Sequence, residues 1–219
     1  MNLVTPSSPS PGSPRAARSR AALIAAGLRL FAERPVDAVS VDEIVAAAGV
    51  AKGTFFNHFA DKHAFAASLA AEIRLEIERG VDAANAGVAD PLARLAGGMR
   101  VAAAFALAHR ARTLVLLRAN DGATGADHPL NAGVSRDLAD AAAAGSARPE
   151  VEDWGVLYWV GLCQALMIDI VRRKLARKDA AEALAAMALM GLTGLGAFAE
   201  AAREAAGRAR ADLLGDGAG

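Results

Sequence analysis

Between Pro35 and Asp61 the chain has room for two short helices and for nothing longer. Pro35 ends the helix before it, because proline lacks the amide that a helix interior needs and its ring clashes with the preceding turn. Ser40-Val41-Asp42-Glu43 reads as a capping box. The Ser40 hydroxyl can accept the Glu43 amide while the Glu43 carboxylate reaches back to the amide of Ser40. Ile44, Val45 and Ala48 then share one helical face, and Gly49 stops that helix where a left-handed backbone would be costly for a residue with a side chain. A second short helix, about Lys52 to Asn57, follows after a tight turn. Asp61 is placed to cap a longer helix that reaches roughly Arg79 and stops at Gly80.

The flanking sequence is helical too. Arg15 to Glu33 places Leu23, Ala26, Gly27, Leu30 and Phe31 at helical spacing, with Arg15, Arg18, Arg20 and Arg29 arriving before any acid. Further on, Asp90-Pro91 opens a helix to about His109, and Arg112 to Ala119 makes a short apolar one. A glycine-rich loop, Asn120 to Asp127, precedes a helix near Pro129 to Ala144. Two long helices follow, Pro149 to Lys174 and Asp179 to about Arg210. Alanine, the strongest helix former, supplies much of the 54% hydrophobic content, and no strand-like alternation appears. The fold expected is all-α, and with only 22% charged residues wholesale disorder is excluded.

Lys+Arg and Asp+Glu each number 24 in 219 residues, so bulk charge excludes a histone-like or ribosomal type of basic protein. The local distribution is less even. No acid occurs from Arg15 to Arg29, nor from Ile44 to Ala60. Mean hydropathy is high at +0.26. Even so, the uncharged stretches Ala183–Ala199 and Trp154–Ile168 fall short of the roughly 20 apolar residues of a membrane span. Both are expected to be buried helices, with no membrane partner. Residues 1–14, rich in proline and serine, read as a disordered leader without a secretion signal's apolar core. A single cysteine, Cys163, suits a reducing cytoplasm.

Two short helices joined at a glycine turn, behind a basic first helix, have the layout of a helix-turn-helix DNA reader. The residues themselves are more specific. Leu23-Ile24-Ala25-Ala26-Gly27-x-x-Leu30-Phe31, then Ser40-Val41-Asp42-Glu43-Ile44-Val45-x-x-Ala48-Gly49-Val50, then Lys52-Gly53-Thr54-Phe55-Phe56-Asn57-His58-Phe59-x-Asp61-Lys62 resemble the N-terminal DNA-binding domain of TetR-family transcriptional regulators. The resemblance covers about residues 15–70. It implies a three-helix helix-turn-helix domain over 15–62 and a linking helix over 62–80. Residues 81–219 would form a helical ligand-binding and dimerisation domain.

The same resemblance implies a homodimer on a near-palindromic operator in double-stranded DNA, released from it as a repressor by an unknown small-molecule inducer. Lys52 and Asn57 are then the base-edge candidates, since lysine can donate to guanine and asparagine can bond adenine bidentately. Gly53 lets the backbone approach, and Ser40, Thr54, His58 and Lys62 face phosphates. Phe56 belongs to the same surface but lacks the hydroxyl of the family's usual tyrosine. Two other departures are Val45 for the usual alanine and Ala51 for the usual serine cap. The last two long helices are the expected dimer seam.

In the C-terminal part, Met99, Phe105, His109, Asn120, Trp154 and Tyr158 are the candidates for an inducer pocket, being apolar residues with a few polar groups among them. Nothing points to an enzyme, a cofactor or a metal. His58, His63, His109 and His128 lack ligand spacing, and Gly191-Leu192-Thr193-Gly194-Leu195-Gly196 has the wrong glycine order for a nucleotide loop and reads as part of an apolar helix. The alternative function is a helical ligand-binding module whose helix-turn-helix is not functional.

Overall fold

The computed structural model describes residues 14–119 and 128–216, and no strand occurs among them. The proposed leader up to residue 13, Asn120 and the glycine-rich loop 120–127 lie outside the described residues. Among the described residues ten α-helices follow one another: α1 (Pro14–Glu33), α2 (Val41–Ala48), α3 (Lys52–Phe56), α4 (Lys62–Ala84), α5 (Pro91–Ala108), α6 (Arg110–Arg118), α7 (Ala132–Ala143), α8 (Val151–Arg172), α9 (Arg177–Gly194) and α10 (Ala199–Gly215). Single 3-10 turns, Val36–Ala38 and Pro129–Asn131, precede α2 and α7. The chain divides into two compact units between Leu69 and Ala70, inside α4.

The first unit is built on phenylalanine. Phe31, Phe55 and Phe65 are fully buried and Phe59 nearly so. The Phe65 ring stands 4.5 Å from Phe59, 5.5 Å edge-on from Phe55 and 5.8 Å from Phe31, spacings at which aromatic pairs attract beyond their buried area. Leu23, Val39, Ile44 and Val45 complete this core. Gly27 is required by close approach: a β-carbon there would lie 2.5 Å from two carbons of the Phe65 ring.

The second unit packs α10 on α9 and α5, and α8 on α5, α6, α7 and α9. Its core mixes large side chains (Trp159, Met99, Leu95, Leu166) with many alanines, which let helices approach closely. Asp90 caps α5 by accepting the Leu92 amide at 3.0 Å, with Pro91 at the first helical position. Two expectations are corrected. Gly80 does not stop α4, which continues to Ala84. The glycine instead sits against Val101 of α5, whose Cγ1 would be 3.0 Å from an added β-carbon.

The last long helix is in fact two. Gly196 takes a φ of +99°, and the Ala197 amide returns to the Leu192 carbonyl at 3.0 Å, closing α9 before α10 begins. The Gly191–Gly196 run therefore ends a helix rather than lying inside one. By length and composition α8 could cross a membrane. Gly155, Trp159, Val160, Met167 and Ile170 along it are nevertheless buried in the helical unit, as in a core helix.

Candidate nucleic-acid interface and ligand cavity

The capping box forms as the sequence requires. Ser40 Oγ accepts the Glu43 amide at 3.2 Å, and the Ser40 amide donates to Glu43 Oε2 at 2.8 Å. Arg34 adds a 2.7 Å ion pair to Glu43 Oε1. The Ser40 amide, the Arg34 guanidinium and the Ser40 hydroxyl together hold the Glu43 carboxyl down at about 2. At the other end of α2, Gly49 has a φ of +65° and the Val50 amide bonds the Val45 carbonyl at 3.1 Å. This closure turns the chain at once into α3.

On α3 and just after it, Lys52, Gly53, Phe56 and Asn57 are exposed, Thr54 and His58 half-buried, and Phe55 fully buried as the anchor. Ala51 occupies the N-cap of α3 without a side-chain hydrogen bond. Lys52 Nζ is paired with Asp42 Oδ1 of α2 at 2.9 Å. Lys62 points back into the unit, where its Nζ donates to the carbonyls of Asp37 at 2.9 Å and Val39 at 3.2 Å. An ammonium has three donors, so two are committed to holding the turn before α2. Ser40, Lys52, Gly53, Thr54, Phe56, Asn57, His58 and Lys62 thus all lie within one compact unit, most of them solvent-facing.

The helical unit contains a cavity of about 380 Å³. One part of its wall is apolar: Ile77 of α4, Leu95 and Ala102 of α5, Leu116 of α6, and Trp159 and Met167 of α8. The other part carries charge: Asp82 and Arg136, which are exposed, and two internally paired sets. Arg74 Nε bonds Glu78 at 2.7 Å, and its Nη2 reaches Asn131 Oδ1 at 2.7 Å. Arg94 Nε bonds Asp137 at 2.6 Å, its Nη1 donates to the Ala89 carbonyl at 2.8 Å, and its Nη2 bonds Asp140. Burial pushes the Glu78 and Asp137 carboxyls up in spite of these partners. Burial likewise pushes the Cys163 thiol up to about 12, so it stays protonated at neutral pH.

The residues expected at a pocket are distributed elsewhere. Met99 is fully buried in the core; Phe105 packs on His109 at 4.9 Å with the Arg112 guanidinium 5.2 Å from its ring. Trp154 and Tyr158 are exposed and line a separate, more open groove of about 400 Å³ with Arg148 and Leu195. None of these five lines the cavity with the paired arginines. The cause on α8 is register. Trp159, Val160, Cys163, Gln164 and Met167 share the cavity face at helical spacing, while Trp154, Tyr158 and Ala165 fall on the opposite one. Sequence reasoning passed over Arg94, Asp137, Asp140 and Gln164. Their signal was charge or amide within otherwise apolar helices.

Residues 23–69 match the family model described as bacterial regulatory proteins, tetR family. The HTH-type transcriptional repressor DhaR of Mycobacterium sp. (strain GP1) is 39% identical over 57 residues, which are 26% of this chain and 29% of that protein. The chain thus spans well under half the length of the curated relatives it matches. Solved structures cover far more. A putative tetR family transcription regulator from Shewanella sp. PV-4 superposes over 81% of this chain and 97% of its own, with a TM-score of 0.70 and 18% identity. RolR in complex with the ligand resorcinol does so over 89% and 95%, with a TM-score of 0.58 and 26% identity.

Proposed function

We propose that this chain, whose residues 23–69 match the tetR family of bacterial regulatory proteins, is a sequence-specific DNA-binding transcriptional regulator, a repressor released from its operator by a small molecule. The observation that carries the reading is the presentation of α3. A capping box and a left-handed glycine hold α2, and Phe55 roots the next helix while Lys52, Gly53, Phe56 and Asn57 stay in solvent. In the complex Lys52 and Asn57 contact base edges in the major groove. Ser40, Thr54 and His58 contact phosphates, and Lys62 offers its remaining donor to one while it fixes the turn before α2.

Two such heads are needed to match successive major grooves, ~34 Å apart on a near-palindromic site. The surface that supports pairing is the outward face of α8 and α9, where Trp154, Leu157, Tyr158 and Met190 are exposed. Gly161 and Ala165 on α8, with Ala186 on α9, leave room for close helix contact there. Repression is supported by the description of DhaR as a repressor, and ligand control by the cavity and by the resorcinol complex of RolR. Binding in the cavity must favour an arrangement of the dimer in which the two heads no longer fit the operator. The protein works in the cytoplasm, where its DNA is.

Selection of duplexes from a random-sequence pool tests this reading. A palindromic consensus with half-sites one helical turn apart is expected, bound with an affinity that falls steeply with added salt. Selection of no duplex, or salt-insensitive binding, refutes it and leaves only a ligand-binding helical module.

A further inference from the structure

The cavity of the helical unit has an apolar wall and a polar wall; the buried charges of the polar wall are paired with one another, while Asp82 and Arg136, exposed residues of opposite sign, also line it. Arg74 is engaged by Glu78, by Asn131 Oδ1 and by the Leu130 carbonyl at 3.3 Å. Arg94 is engaged by Asp137 and Asp140 and by the carbonyls of Val88 at 3.3 Å and Ala89 at 2.8 Å. A guanidinium has five N–H donors, so Arg94 has nearly exhausted its own on these four acceptors. Side-chain exposure is only 13% for Arg74 and 16% for Arg94. An anionic ligand seated against the buried Arg74 or Arg94 would have to pull it off its carboxylate and strand that charge in a half-buried site, which is costly, and Arg136 on the lining is exposed and so held in water. A cationic ligand seated against Glu78 or Asp137 meets the same obstacle from the other side, since both are held by the arginines, while Asp82 is exposed to solvent.

One polar group on the wall is not satisfied. Gln164 lines the cavity between Cys163 and Met167, and its Nε2 is buried with no hydrogen-bond partner. A buried amide donor without an acceptor is a standing cost, and an acceptor brought in by an occupant removes it. Its neighbour Cys163 stays a neutral thiol. Ile77, Leu95 and Leu116 on the same wall offer only apolar contact.

We propose that the cavity selects an uncharged, largely apolar small molecule carrying a hydrogen-bond acceptor, a carbonyl or hydroxyl oxygen that docks on the Gln164 amide. This rests on the reading of the cavity as the effector site and names the chemistry that it recognises. The apolar body lies against Trp159, Leu95 and Ile77, and the paired Arg74–Glu78 and Arg94–Asp137 groups close off charged relatives of the same shape.

The test uses the full chain and four probes of one shape: methyl 2-naphthoate, 2-naphthoate, 2-naphthylmethylamine and 2-methylnaphthalene. Binding is read by thermal shift and by calorimetry. Methyl 2-naphthoate is expected to bind tightest, with the carboxylate and the amine at least about tenfold weaker because each brings an unpaired charge into the cavity. Gln164→Leu should lower the affinity for the ester about tenfold, as expected when a buried polar partner is lost. It should leave 2-methylnaphthalene unchanged or tighter, a pattern that general unfolding cannot give. Gly133→Leu and Gly98→Met, each adding bulk to the wall, should abolish binding while circular dichroism stays helical.

If 2-naphthoate or the amine equals the ester, and the filled variants still abolish binding, the ligand class is wrong and the cavity reading stands. Equal loss of ester and hydrocarbon in Gln164→Leu also overturns the role of the amide. If no probe binds, or binding survives in both filled variants, the cavity reading falls and this inference with it.

Discussion

Lys52 of α3 and Asp42 of α2 form an ion pair across the two short helices, with Nζ 2.9 Å from Oδ1 and more than half of each side chain exposed. Such a pair contributes only ~0–1 kcal/mol to the free protein, so DNA can take Lys52 from Asp42 at small cost. Asp42→Asn should therefore tighten operator binding by up to about fivefold, the equivalent of 1 kcal/mol. Lys52→Ala should weaken it about tenfold or more, as expected for loss of a base-edge contact. Fluorescence anisotropy on the selected duplex at fixed salt measures both. Weaker binding by Asp42→Asn would count against Lys52 as the reader.

Gly27 and Phe65 predict a stability effect far from that surface. An alanine β-carbon at residue 27 would lie 2.5 Å from the Phe65 ring, which neighbouring rings hold in place. Gly27→Ala should cost ~1–3 kcal/mol through overpacking. Adding Phe65→Leu should recover part of that loss, although the single change Phe65→Leu is itself destabilising. Denaturant melts of the four proteins give the coupling, and strict additivity would contradict the packing argument.

Ala51 leaves the first amides of α3 without a side-chain acceptor. Ala51→Ser supplies one and should stabilise the head by about 1 kcal/mol. Thermal unfolding monitors the change. No gain in stability would mean that a serine here does not reach the α3 amides.

Glu43 sets an acid limit on the same unit. Its carboxyl lies at about 2, below its ordinary 4.5, because the folded chain bonds its charged form. A depressed carboxyl contributes its stability above the ordinary value and loses it as pH falls through the folded one. The stability difference between the natural chain and Glu43→Gln should be full above about pH 5 and shrink steadily from about 4.5 toward 2. A difference that grows on acidification would reverse the assigned sign.

The exposed faces of α8 and α9 predict self-association. Met190→Lys or Trp154→Lys places a charge on that face, where both native side chains are more than 60% exposed in one chain. Either should shift a dimer toward monomer at micromolar concentration and, with it, weaken operator binding while the helical signal is kept. Sedimentation velocity reads the outcome. Dimers unaffected by both substitutions would place the interface elsewhere.

Much of the first unit was legible in order along the chain. Pro35, the Ser40–Glu43 box, Gly49 and the buried spacing of Phe55, Phe59 and Phe65 act on their own neighbours, within a turn or two of helix. Local rules therefore predict the elements they form. The all-α class was legible for the same reason: alanine-rich, strand-poor composition acts residue by residue. Less legible were helix ends whose partners are distant. Gly80 reads as a stop from its own propensity, but packing against Val101 keeps α4 going, and Gly196 ends α9 while the neighbouring glycines do not.

The cavity belongs wholly to that second kind. Trp154, Tyr158, Trp159 and Gln164 are close neighbours in sequence, and nothing local says which of them faces inward. A rotation of 100° per residue decides it, and which face is inside depends on where α4, α5 and α7 pack. The pairing of Arg94 with Asp137 and Asp140 spans more than forty residues, so neither charge announces that it is already cancelled. The sequence alone determined the helical class, the short helix pair and its caps, because short-range hydrogen bonds and sterics specify those. Only the tertiary structure decided that Lys52 meets Asp42, that Lys62 turns inward, and that Gln164 is left with a donor and no acceptor, because such contacts exist only once separate elements are packed at a particular angle and register.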